Sequence, residues 1–204
     1  MFWIIRIIIC VVILIATIII LKKYLKKSFM WFFVLLIVLS LFYLSVLFPV
    51  ENRVAKFASP QQIFDYVYQG KVEKVISGKN SCFILYSQSG SSVNSAIFKK
   101  EGNLYILNPL NNGKVISTLK KDGLDIRLYR VKDTNDYYIT VFGFNNISTN
   151  TFNNLTDFQI INTDNSFVAC AFVENISDYY FEIGTLTFQT AYIDEKWVIQ
   201  AKNQ

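Results

Sequence analysis

The chain contains no histidine. That absence alone removes Ser-His and Cys-His catalysis and the commonest transition-metal ligand. Carboxylates are missing from one region. Before Glu51 the chain carries Arg6, Lys22, Lys23, Lys26 and Lys27 and not one acid. A basic leader followed by small residues at a cleavage site is also lacking, which excludes a removable signal peptide. Cysteine is limited to 3 residues. Cys10 follows Ile7, Ile8 and Ile9, so the small residue that a lipoprotein site needs before its cysteine is absent.

Catalytic signatures are equally thin. Ser117-Thr118-Leu119-Lys120 matches the S-x-x-K string of penicillin-interacting serine enzymes, but their companion motifs are missing, and coincidence explains it. Gly78-Lys79 lacks the glycine five residues earlier and the Ser/Thr that follows in a phosphate loop. Asp133-Thr134-Asn135-Asp136 lacks the glycine and the distal glutamate of a calcium loop and reads as a solvated hairpin. No spacing singles out a glycosidase pair among the 15 acids. The sequence therefore names no catalytic, metal-binding or cofactor-binding residue.

What the chain does have is two long apolar stretches, residues 2–21 and 29–48. Each corresponds to about 30 Å of helix, one hydrocarbon core thick. A loop over 22–28 holds Lys22, Lys23, Lys26 and Lys27 between them. The pattern predicts a two-helix transmembrane hairpin in a multi-pass membrane protein. Lysine-rich loops stay in the cytoplasm, so both termini and everything after the hairpin are expected outside. Five of the 20 basic residues precede Glu51, and the 15 that follow match the 15 acids of the chain. The rest of the chain is thus formally neutral, which argues against a nucleic-acid partner. Pro49 ends the second stretch, and 49–58 reads as a linker.

The segment 59–204 reads as one extracytoplasmic domain large enough to bury its own core. Ser59-Pro60-Gln61-Gln62 is a capping box opening a helix with Ile63, Phe64, Tyr66 and Val67 on one stripe and Gly70 at its end. From there the apolar period changes to two. Turns at Gly78-Lys79-Asn80, Ser89-Gly90-Ser91, Glu101-Gly102-Asn103, Asn111-Asn112-Gly113 and Lys121-Asp122-Gly123 separate short β-branched and aromatic runs. SFVACAFV over 166–173 is apolar on both faces, which marks a central strand covered on both sides, by the early helix or a second sheet layer. A phase slip at Gly184 predicts a bulge. Asp194-Glu195 turns the chain into a last strand with Trp197 and Ile199 inward. The fold class is membrane-anchored α+β: the hairpin, then a mainly antiparallel β domain with one capping helix.

Two side-chain sets remain open. Cys82 and Cys170 either pair as a disulfide or are small core residues. Tyr137-Tyr138 and Tyr179-Tyr180 place adjacent rings on opposite strand faces, which nominates them as interface aromatics. The plan of an anchor and a small β-rich outer domain is similar to that of many envelope proteins of Gram-positive bacteria, and implies no activity. Together these features predict a non-enzymatic, membrane-anchored binding or accessory module (an accessory subunit, an immunity-type protein or an envelope sensor). Its partners would be the lipid bilayer and a membrane or envelope protein. The alternative is an envelope hydrolase that uses carboxylates alone.

Overall fold

The computed structural model describes residues 2–24, 27–47, 52, 55–88, 93–107, 112–144, 151–153 and 158–202. Helices α1 (Phe2–Tyr24) and α2 (Lys27–Leu47) form an N-terminal pair. Their side chains are described for residues 7–8, 11–20, 22–23, 31–41 and 43–44. Leu14, Thr17 and Ile18 of α1 are half-buried, as are Ile37, Val38 and Leu41 of α2 around buried Val34. Spacings of three and four put each set on one helix face, so these stripes form the seam of the pair.

The transmembrane expectation is corrected here. Among the described residues, no helix is long and apolar enough to cross a membrane.

The remainder is mostly antiparallel β structure. Helix α3 (Pro60–Val67) starts as its capping residues dictate: the Ser59 hydroxyl accepts from Gln62 N at 3.3 Å, and Ala58 N donates to Gln62 Oε1 at 2.9 Å. Gly70 does not end this helix, because Tyr68 caps it by donating to Phe64 O at 2.8 Å. Gly70 (φ +149°) instead lets the chain pass Ser87, where an added Cβ would lie 2.5 Å from the Ser87 carbonyl oxygen.

Three sheets follow. Sheet A has the order β1-β2-β3-β4: β1 (Lys71–Ser77), β2 (Ser81–Ser87), β3 (Val93–Glu101) and β4 (Leu104–Ile106). Sheet B, ordered β5-β6-β7-β10-β9, contains β5 (Gly113–Lys121), β6 (Leu124–Val131), β7 (Tyr137–Phe144), β9 (Gln159–Asn162) and β10 (Ser166–Val173). Sheet C runs β13-β12-β11-β8, from β8 (Thr151–Asn153), β11 (Tyr180–Ile183), β12 (Leu186–Ile193) and β13 (Lys196–Ala201). The two-residue hairpins at Asp122-Gly123 and Asp194-Glu195 have positive φ at both turn positions (49° and 80°, 49° and 60°). This geometry suits the right-handed twist of the strands they join.

The layers stack as helix, sheet A, sheet B and sheet C. Ile63 and Phe64 of α3 pack against Cys82, Ile84, Tyr86, Ala96 and Phe98 on the outer face of sheet A. Ile76, Phe83 and Leu85 on its inner face meet Tyr138, Val168 and Cys170 of sheet B. The other face of sheet B, including Phe167, Ala169, Ala171 and Val173, packs on Phe181, Phe188 and Ile199 of sheet C. Strand β10 is therefore central and buried on both faces, as its pattern predicts. Sheets supply both covers, and the helix lies one layer further out.

Gly184 is not a bulge. Ile183 pairs with Leu186 across a tight hairpin, so Gly184 (φ +60°) and Thr185 form the turn. A two-residue turn makes an odd residue face an even one across the strands, which produces the same slip in the sequence. Irregularities lie elsewhere, between Val72 and Lys74 and between Val115 and Ser117. The predicted turn at Ser89-Gly90-Ser91 and Asn111 of another fall outside the described residues.

Candidate functional site

Two regions carry possible function: a polar cleft between hairpin tips, and the surface of the helical pair. The cleft measures about 560 Å³ and is lined by Lys79, Asn80, Arg130, Asp136, Phe172 and Glu174, with the Asp133–Asn135 loop at its rim. The β1–β2 hairpin brings Lys79 and Asn80, the β6–β7 loop brings Asp133 and Asp136, and the end of β10 brings Phe172 and Glu174.

At its base sits Asp136, only 1% exposed. Its Oδ2 accepts from Asn80 N at 2.8 Å and from the Ser81 hydroxyl at 2.5 Å. The Ser81 oxygen in turn lies 2.9 Å from the Tyr138 hydroxyl. With the Ser81 proton committed to the carboxylate, Tyr138 is the donor in that second bond. The phenol is fully buried, and burial raises its pKa well above the ordinary value. Gly78 makes the approach possible: a Cβ there would lie 2.6 Å from both Asp136 Oδ2 and the Tyr138 hydroxyl.

This cluster is a clamp between sheets A and B. A buried carboxylate needs donors, and it obtains them from the neighbouring hairpin. Glu174 is engaged as well, with Lys79 at 2.6 Å. That contact raises the Lys79 pKa, through the hydrogen bond to Glu174 first. Two of the three carboxylates are thus held by partners rather than aimed at a bound substrate. Among the described residues no group of His, Cys, Asp and Glu is arranged to hold a metal.

The S-x-x-K serine has a structural task. Ser117 Oγ accepts from Ile199 N at 3.0 Å, joining β5 of sheet B to β13 of sheet C beside the β5 irregularity. The two strand cysteines are free and buried. Cys82 faces α3 whereas Cys170 faces sheet A from sheet B, so they lie in different layers and form no bridge. Burial pushes the Cys82 thiol up to about 12 and raises Cys170 well above its ordinary value.

The nominated tyrosines divide unevenly. Tyr137 and Tyr138 are both buried, one toward each neighbouring sheet, so this pair presents no exposed ring. Tyr179 is buried beside Phe181, while Tyr180 is 37% exposed. Of the loop lysines, Lys22 and Lys23 occupy the last turn of α1 and are exposed. Lys27 begins α2, its side chain undescribed, and Lys26 lies outside the described residues.

The surface of the helical pair is the opposite of the cleft. Ile7, Ile8, Val12, Ile15, Ile19 and Ile20 of α1 are exposed, as are Trp31, Phe32, Leu35, Leu39 and Tyr43 of α2. Ile19 reaches 67% and Phe32 61%. Apart from the seam, the described side chains of these helices present apolar groups outward over most of the surface. Comparison with protein-family models, with curated proteins and with solved structures finds no match.

Proposed function

We propose that this chain is a non-enzymatic binding or accessory module held at the outer face of a cell membrane by its apolar helical pair. The observation that carries the reading is the exposed apolar surface of α1 and α2. A surface of this extent facing water is strongly unfavourable, at about 25 cal/mol per Å². Lipid acyl chains or apolar helices of a partner relieve that cost. Helices are suited to such surroundings, because their backbone groups are satisfied internally.

The β layers are the part presented to the envelope. A sequence without histidine and a cleft whose buried carboxylate is held by Asn80 and Ser81 support a binding role over a hydrolytic one.

Two measurements test the reading. A chain starting at Asn52 should leave the membrane fraction and unfold cooperatively. Recovery of that chain with membranes would remove the helical pair as the anchor. Thr185→Cys, combined with Cys10→Ser, places a reactive thiol in an exposed turn, while native Cys82 and Cys170 are buried. An impermeant thiol reagent should label it in intact cells. Labelling only after lysis would overturn the outward placement.

A further inference from the structure

The geometry points to the cleft between the hairpin tips as a binding site for a short peptide with free termini, an inference that deepens the binding reading above. At about 560 Å³ the cleft falls within the size range of small-ligand sites. Both signs of charge line it. Lys79 and Glu174 satisfy each other at 2.6 Å. The Arg130 and Asp133 side chains are exposed and make no ion pair or hydrogen bond with a described residue. Asp136 carries the argument further. Asn80 N and the Ser81 hydroxyl both donate to Oδ2, and no described residue donates to Oδ1. Asp136 is 1% exposed and lines the cleft, and Oδ1 is not among the sealed, unbonded atoms. Its remaining access is therefore through the cleft. A buried carboxylate oxygen without a donor is costly, and an ammonium group entering the cleft satisfies it.

Strand register sets the length of the ligand. Arg130 stands opposite Tyr137, which faces sheet C, and residues directly opposite on neighbouring strands share a face. Asp136 instead bonds to the β1–β2 hairpin of sheet A. The cation and the buried carboxylate thus flank the end of sheet B from its two sides. A single amino acid carries its ammonium and carboxylate on one carbon and meets only one of them. Packed layers are spaced by about 10 Å, and an extended peptide covers about 3.3–3.6 Å per residue, so about three residues bridge the two. The peptide amine lies at Asp136, with Asp133 at the rim. Its carboxylate lies on Arg130, whose planar guanidinium holds a carboxylate at two points. Half-buried Phe172 offers an apolar wall to the side chains between.

Calorimetric titration of the full chain in mild detergent with trialanine tests this. Binding should saturate, and N-acetylation or C-amidation of the peptide should each weaken it by about tenfold or more. Arg130→Gln should bind the free and amidated peptides alike. Asp136→Asn should bind the free and acetylated peptides alike, and Asp133→Asn, at the exposed rim, should narrow the same difference without touching the buried cluster. Equal binding of the free, acetylated and amidated peptides by wild type would overturn the inference. So would alanine binding as tightly as trialanine. A titration without saturation would overturn it too, while leaving the helical anchor of the proposed function untouched. Recovery of trialanine in fragments would overturn the non-enzymatic reading and leave recognition of the peptide termini standing.

Discussion

The helical pair and the layered β region use the same apolar residue types in opposite ways. In the pair, Val34 is the one buried hydrophobic among the described residues, and isoleucines and phenylalanines face outward. In the β region, Phe83, Ile126, Phe167 and Phe181 are wholly buried between layers. A strand cannot bury both faces by itself, so the sheets stack until each apolar face has a cover. A helix has already satisfied its backbone and can present its whole circumference to a non-aqueous neighbour. The difference is one of exposure: one region buries its apolar residues between its own layers, and the other presents them outward.

The largest effect that probes this contrast comes from placing a charge in each region. Ala171 is fully buried in β10 and faces sheet C. Ala171→Asp strands a carboxylate between two sheets and should cost about 3–5 kcal/mol, against a typical total stability of about 5–15. Thr187→Lys, half-buried and opposite Glu182 in the neighbouring strand, should stay within about 0.5 kcal/mol. Ile19→Asp, in the outward surface of α1, should leave the thermal transition of the β region unchanged while weakening membrane association. If Ala171→Asp melts at the wild-type temperature, β10 is not an inner strand and the layered contrast fails.

A smaller effect sharpens the account of how the layers are joined. Asp136→Ala removes the acceptor for Asn80 N and the Ser81 hydroxyl, and should destabilise the fold by about 2–3 kcal/mol by chemical denaturation. Asp136→Asn keeps an acceptor oxygen and should lose less. Equal stability of the alanine variant and wild type would show that the clamp contributes nothing across the sheet A–sheet B contact.

The smallest effect is a dependence on pH. Both strand thiols are raised by burial, Cys82 to about 12. A raised folded pKa gives stability that is fully present below the unfolded thiol value of about 8.5, and is lost as pH rises toward the folded value. The unfolded chain releases these protons first, so alkaline conditions favour unfolding. Each thiol should lower stability by up to about 1.4 kcal/mol per pH unit above about 8.5. Melting of wild type and of Cys82→Ala/Cys170→Ala measures this directly. Parallel pH profiles for the two proteins would show that the thiols are not held protonated in the core.

Much of the local structure is legible in the residues. Ser59 and Pro60 start a helix because one side chain caps the free amides and the other has no amide to satisfy. Asp122-Gly123 and Asp194-Glu195 read as turns because short polar or unbranched residues sit there between apolar runs. The doubly apolar run of β10 announces an inner strand. The Gly184 slip is misread for a specific reason: a bulge and a two-residue hairpin shift the apolar phase alike, and only pairing distinguishes them.

The site was less accessible for a related reason. Asp133-Thr134-Asn135-Asp136 has the composition of a solvated loop, yet Asp136 is buried because the β1–β2 hairpin closes over it. That contact joins residues 56 apart in the chain. Tyr137-Tyr138 obeys the rule that neighbours on a strand face opposite ways, but here both faces are covered.

By itself the sequence determined the absence of histidine chemistry, the two apolar helices with lysines between them, and the strand and turn pattern that follows. These depend on residue type and on periods of a few positions. Only the tertiary structure decided that sheets cover both faces of β10, that Cys82 and Cys170 lie in separate layers, and that Asp136, Ser81 and Tyr138 form one buried chain of hydrogen bonds. Each of those outcomes depends on which distant segments meet, and local periodicity carries no record of that pairing.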